Sequence, residues 1–413
     1  MEDFEAQLAR AAAPDTRDVL GAIGLVDQTL TTPTGTTLYH HACGRQSLDA
    51  DAPPLDADST VSLGSAGKFL THIAALQLVE HGLVGLDDPV STLLPELDAL
   101  PLISRSSPFA ARPPATKITL RHLLTHTSGL STHDDPAVQS YLAAGGAMPT
   151  PAPDAHPIVR ATSLPLTFNP GTGFAYGHSI HWAQLLVARA APSGNFIRHM
   201  QTHVFDVLNM RTATFGPRDR EDVWHRRLRM VERAAADGSL VEADDATQGL
   251  TCSVRDVGAA LADLLAPAPR LLSRRDLVDL LFEPQFAAGS GALRDLRGEK
   301  DNYAFCAGRD NYAFCAGRDD YAFCAGRMGD GGEELGVNWS AAGLVVEDDV
   351  LRLSGMPRGT VAWEGMPNVM WAVNREKGVA AFFATQLVPN GDERANRLAV
   401  AFMRGAWGTF GSS

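Results

Sequence analysis

Strand-like runs crowd both ends of this chain, and helical runs fill the stretch between them. Near the N-terminus, VLGAIGLVDQ from Val19 and TTLYHHACG from Thr36 are β-rich and are joined by the turn-forming TTPTG. From Gly343 the strands return as GLVVEDD, VLRLSG, TVAWEG, VMWAVN and GVAAFFATQL, before DERANRLAVAFMRGAW reads as a terminal helix. Between them lie the helical patterns after Lys68 and in HWAQLLVARAA, SVRDVGAALADLL and SRRDLVDLLF. A strand hides its apolar face only in a sheet, so strands from the two ends must meet. The order predicts an α/β (α+β) fold with one sheet built from both termini and an inserted, mostly helical region. On this reading residues 1–413 form one unit, with 1–75 and 336–413 as the α/β part and 76–335 as the helical part.

The 413 residues, 45% apolar and 20% charged, suffice for a large core. The net charge of −13 is spread over interleaved acids and bases, which disfavours nucleic acid and anionic membranes as partners. No window approaches the roughly 18 apolar residues of a membrane span. MEDFEAQLARAAAPD carries acids where a signal peptide needs a basic start, so a soluble cytoplasmic protein is expected. Five cysteines, an odd number, do not suggest a disulfide framework. Three of them, Cys306, Cys315 and Cys324, fall in a nine-residue unit repeated three times over 301–327. An odd spacing along a strand, or about 2.5 turns of helix, turns successive cysteines to opposite sides. The repeat therefore reads as an expanded surface insertion and not as a metal site.

Several signatures are missing. No serine sits in G-x-S-x-G, there is no phosphate-binding G-x-x-x-x-G-K, and GTGFAYG lacks dinucleotide spacing. HLLTH places His122 and His126 on one helical face, but without the glutamate of H-E-x-x-H, so both read as structural. His40 and His41 point to opposite faces of a strand and read the same way. What remains is S-x-x-K, Ser65 and Lys68, in VSLGSAGKFLTHIAALQLVEHG. Alone, the pair is either a helix cap or a nucleophile with its base. The chemistry of the second option is specific. A serine hydroxyl needs a base to become nucleophilic, and a lysine one turn later lies on the same face. Burial moves such a lysine towards its neutral form, and a helix N-terminus leaves the serine N–H free for an oxyanion.

Two further stretches weight the choice. NPGTGFAYGHS places Tyr176 in a loop after a Pro-Gly turn, and VAWEGMPNVMW places Trp363, Glu364 and Gly365 on a late strand. A serine near the start, a tyrosine in the helical part and x-x-G on a late strand resembles the serine β-lactamase and penicillin-binding-protein superfamily. ITLRHLLTHTSGL and QGLTCSVRDVGAALADLL resemble its segments on either side of the insertion. The likeness runs from about residue 15 to 410, with 285–335 outside it. It is closest to the esterase and transesterase branch, in particular the fungal acyltransferases that load a side chain onto a polyketide alcohol. The resemblance implies that the sheet is antiparallel and flanked by helices.

It also implies roles. Ser65 matches the nucleophile, Lys68 the lysine of the motif and Tyr176 the tyrosine that shares proton transfer. Gly365 matches the glycine of the third motif, and the Met366 N–H would join that of Ser65 in holding an oxyanion. Trp363 and Trp371 are either apolar walls for the acyl chain or acceptor, or simply packed. Some positions depart from the pattern. Enzymes that bind β-lactams carry Lys or His at the Trp363 position to hold a carboxylate, and an indole supplies no charge, so β-lactam hydrolysis is not the expected task. His178 stands where β-lactamases have Asn, and Glu364 where relatives often have Gly. Gly67 is a poorer helix former than Ala by roughly 1 kcal/mol. The expectation is a serine acyltransferase acting through an acyl-Ser65 intermediate. Its partners would be a small-molecule thioester or ester donor, carried by a polyketide synthase in the case of a thioester, and a secondary-metabolite alcohol. A carboxylesterase is the alternative, ahead of a non-catalytic binding protein on the same fold. No cofactor or metal is expected, and nothing in the sequence sets an oligomeric state.

Overall fold

The two ends of the chain meet where the Gly21–Gln28 strand pairs with the Val379–Ala384 strand, Ile23 opposite Ala384 and Gln28 opposite Val379. A computed structural model describes residues 1–28, 36–104, 110–244, 249–297, 336–349 and 354–411. Seven strands form one antiparallel sheet in the order Thr36–Gly44, Gly21–Gln28, Val379–Ala384, Val369–Asn374, Val361–Gly365, Leu344–Val346, Val337–Trp339. The central strands VMWAVN and VAAFFA are buried at every residue, as a sheet covered on both faces requires.

One face is covered by the Glu2–Ala11 and Glu393–Phe410 helices. Phe4, Phe383 and Phe402 interlock there with ring centroids 5.2–6.2 Å apart. Gly24 is needed at this contact, since a Cβ on it would lie 2.5 Å from the Phe402 ring. The other face receives the Val254–Leu265 helix and the Lys68–Glu80 helix. The latter is buried from Phe69 to Val79, because it runs between the sheet and the Ser179–Ala190 helix. A helix that is apolar all round belongs in such a position. It ends at Glu80, followed by Gly82 at φ +70°, and the Leu83 N–H reaches back to the Leu78 carbonyl.

Two expectations are corrected. Ser65 sits in a 3₁₀ turn, Gly64–Gly67, and the α-helix begins only at Lys68. Glycines at both ends of that turn make the tighter winding accessible. The helix capped by Thr119 ends at Leu124, and His126 has φ +56°, so His122 and His126 do not share a helical face. The inserted region, mostly helical, also contains short strand pairs, among them Leu102–Ile103 with Ala111–Arg112 and Val231–Arg233 with Leu240–Glu242. In the stretch read as the strand VLRLSG, Ser354 lies in a turn and Gly355 has φ +72°, and residues 350–353 lie outside the described ones. The 301–327 repeat lies outside them as well.

Asp392 both caps the terminal helix, accepting from the Arg394 and Ala395 N–H groups, and pairs with Arg233 at 2.6 and 2.9 Å. The pair is mostly buried, with side chains 16% and 9% exposed. Asp392→Ala is expected to cost about 2–4 kcal/mol in urea unfolding, because it removes a cap and strands a charge. Asp392→Asn, which keeps an acceptor, is expected to cost less.

Candidate active site

Ser65 is placed by main-chain anchors on three sides. The Leu63 N–H donates to the Leu250 carbonyl at 2.9 Å, and Gln386 brackets Ser62 by accepting from its N–H and donating to its carbonyl. The Trp371 indole N–H donates to the Ala66 carbonyl at 2.9 Å. On the third side lies the end of the Val361–Gly365 strand. A Cβ on Gly365 would fall 2.0 Å from the Leu63 carbonyl oxygen, so only glycine lets strand and turn touch. Gly64, at φ +51°, faces the Met366 amide nitrogen, which lies 3.2 Å from where its Cβ would be. The Met366 N–H is thereby brought beside the Ser65 turn.

Tyr176 arrives on a loop stitched to the segment after the Thr119-capped helix. Gly171, Ala175 and His178 donate main-chain bonds to the carbonyls of Thr127, His126 and Ser131, and Thr167 donates to that of Gly129. The motif ITLRHLLTHTSGL is therefore the clamp that positions the tyrosine, and His122 is used within it as the reciprocal partner in the Thr119 cap.

The side chains then converge. Lys68 Nζ donates to Ser65 Oγ at 2.7 Å and to the Tyr176 oxygen at 2.5 Å. The Trp363 indole N–H donates to the same Tyr176 oxygen at 3.1 Å. The Tyr176 ring is packed by His126 at 4.5 Å, Trp363 at 5.1 Å and Trp339 at 6.2 Å between centroids. Burial holds His126 neutral, well below the usual imidazole range, and pushes His72 down to about 4. His178 and His181 approach each other through their Nδ1 atoms at 3.4 Å, and burial, reinforced by His181, pushes His178 down to about 4. Around the lysine the imidazoles are thus neutral at neutral pH. Among the described residues no three His, Cys, Asp or Glu side chains are arranged to hold a metal ion.

The structure brings together Ser65, Lys68, Tyr176, Trp363, Gly365 and the Met366 amide. Of the two readings for Trp371 the structure fits the packed one, not that of a ligand wall: only 1% exposed, packed on Phe69 and bonded to Ala66, it supports the serine turn from beneath. Trp363 is 4% exposed, so it too is no open wall; its N–H is directed at the tyrosine. Reading the sequence missed Trp339 and the contact between His126 and Tyr176. No local signal announces Trp339, and the His126 contact depends on one left-handed backbone position.

Glu364 lies on the strand face opposite Trp363, half-buried, and burial pushes its carboxyl up to about 8. Between its ordinary value of 4.5 and about 8 the folded protein holds a proton that the unfolded chain releases, so stability falls as pH rises through that window. Glu364→Gln is therefore expected to raise Tm, by more at pH 8 than at pH 5. An equal gain at both pH values counts against a buried neutral acid.

The fold and the serine–lysine–tyrosine arrangement define a class of serine-nucleophile proteins, and the comparisons agree with it. The family model described as "Beta-lactamase" matches residues 26–403, and the chain belongs to that family. It is 30% identical to acyltransferase calJ of Penicillium decumbens over 99% of both chains. It is 36% identical to lovastatin esterase of Penicillium rubens over 55% of each. Among solved structures it is similar to the LovD9 mutant of simvastatin synthase (LovD) from Aspergillus terreus. There the TM-score is 0.82 and the identity 26%, covering 100% of this chain and 99% of that one.

Proposed function

We propose that the protein is a serine acyltransferase that moves an acyl group from a thioester or ester donor to an alcohol of a secondary metabolite, through an acyl-Ser65 intermediate. The observation that carries this reading is the position of Lys68 Nζ, within hydrogen-bond distance of both Ser65 Oγ and the Tyr176 oxygen. Ser65 Oγ attacks the donor carbonyl as its proton passes to the Lys68–Tyr176 pair. The oxyanion is held by the N–H groups of Ser65 and Met366. Collapse breaks the bond to the donor's sulfur or oxygen, and the departing group takes the proton. The acceptor alcohol then gives its proton to the same pair and attacks the acyl carbonyl; the acyl–Oγ bond breaks and Ser65 Oγ takes that proton back.

The donor class, a thioester carried by a polyketide synthase, and the polyketide alcohol acceptor rest on the similarity to fungal acyltransferases. A strand without a cation disfavours substrates that need an anchored carboxylate beside the reacting carbonyl, as β-lactams do. Hydrolysis is the second reading, favoured by the similarity to an esterase. The two differ in whether water or alcohol reaches the acyl-enzyme.

Incubation with an acyl thioester is expected to add one acyl mass to the intact protein. Ser65→Ala is expected to abolish that adduct, and an added polyketide alcohol to divert the acyl group into ester. Thioester turnover that no alcohol changes selects the esterase. An adduct that survives Ser65→Ala overturns the nucleophile.

A further inference from the structure

We propose that Trp363 is a positioning residue for the reaction: its indole N–H holds the Tyr176 oxygen in place for proton transfer. The proposal rests on the reading of Ser65, Lys68 and Tyr176 as the reacting groups and assigns Trp363 a part that the sequence did not suggest.

The Tyr176 oxygen accepts from two nitrogens on different parts of the fold, Lys68 Nζ at 2.5 Å from the helix and Trp363 Nε1 at 3.1 Å from the sheet. The two donors are not equivalent. A lysine exchanges protons, whereas an indole N–H is a donor only and keeps its proton throughout. Trp363 therefore takes no part in the transfer itself; it orients the oxygen and stabilises negative charge on it when the proton has left. A hydrogen bond to a charged oxygen is stronger than one to a neutral oxygen, so the contact favours the state in which Tyr176 acts as base.

The indole is well fixed for this task. It is 4% exposed and stands edge-to-face on Trp339, at 4.6 Å and 85°. In the sheet Trp363 lies directly opposite Trp371, and Trp371 donates to the Ala66 carbonyl in the serine turn. One cross-strand pair thus carries two indole N–H groups, one directed at the tyrosine and the other at the main chain next to Ser65. The separation between the two halves of the site is set by a rigid rung of sheet. In the same act the indole fills the position of a carboxylate-holding cation, so the gain in positioning and the loss of anion recognition have one cause.

The test compares wild type, Trp363→Phe and Trp363→His. Each is followed by p-nitrophenyl ester turnover, by the pH dependence of fluorophosphonate labelling at Ser65, and by Tm. Phe keeps an apolar ring and loses the N–H; His keeps a ring N–H on a smaller frame. Trp363→Phe is expected to lower kcat by about 10- to 100-fold with KM changed less than about threefold. Its labelling profile is expected to move to higher pH, and His to lie between Phe and wild type. A kcat within twofold of wild type, a loss confined to KM, or a loss with an unmoved pH profile overturns the proposal.

A second measurement needs no Trp363 variant. The chain has six tryptophans, and Tyr176→Phe is expected to shift one indole ¹⁵N–H resonance, that of Trp363, out of its hydrogen-bonded position. Indole resonances that all stay in place overturn the proposal even where Trp363→Phe does not fold. A wild-type protein that takes no label at Ser65 defeats the acyltransferase reading instead, and the indole spectra still decide the bond.

Discussion

The site depends on a close approach of two backbones. The Val361–Gly365 strand ends against the turn that carries Ser65, so near that any side chain at Gly365 would overlap the Leu63 carbonyl. This contact sets the sheet side of the site. It brings the Met366 N–H next to the serine and puts Trp363 over the tyrosine. It also leaves Trp371 under the turn as a brace. The contact exists only because strands from opposite ends of the chain share one sheet, with Gly21–Gln28 added to the edge of Val379–Ala384. Entropy lost in closing so long a loop is regained by burying both faces of the central strands.

The imidazoles and the carboxyl that surround the reacting groups form a neutral wall. His72, His126 and His178 are kept neutral by burial, and Glu364 on the adjoining strand is held neutral by the same cause. Lys68 Nζ is the side-chain group that faces Ser65 and Tyr176 directly. A proton moved among these three groups redistributes charge within the site with little compensation from neighbours, and fixed N–H dipoles from Trp363 and the main chain take on the stabilising task. Such an arrangement suits chemistry in which negative charge appears transiently on a substrate oxygen.

Much of this was legible in the sequence. β-rich runs at both ends placed six of the seven sheet strands, and the S-x-x-K spacing survives the change from α-helix to 3₁₀ turn because both bring residues three apart to one side. The Tyr176 loop announced itself through Pro170 and Gly171, the latter at φ +86°. What stayed hidden depends on long-range packing. Trp363 and Trp371 look alike in VAWEGMPNVMW, and alternation puts both on one face. Only the register and the turn below show that one indole serves the tyrosine and the other the serine turn. His126 was hidden for a different reason. A single left-handed residue ends the helix early and turns the imidazole into the tyrosine ring, and histidine is not a residue whose presence signals that break.

The third motif then explains how a fold associated with β-lactam chemistry is directed elsewhere. With a lysine or histidine on this strand, a charge would be available for a substrate carboxylate, and its affinity would fall on the ground state as well as the transition state. An indole at Trp363 removes that uniform binding and uses its one polar atom on the tyrosine oxygen, an interaction that grows only as charge develops. Selectivity for the acyl donor must consequently come from shape and apolar contact around the carbonyl. Met366 supplies a place for it: its amide nitrogen faces the serine turn, while its side chain, 38% exposed, remains open to solvent at the same point. On the proposed reading, a flexible thioether there would accommodate branched or straight acyl chains with little strain, whereas the amide proposed to hold the oxyanion is fixed by the backbone. One residue would then serve a rigid contact through its main chain and an adaptable one through its side chain.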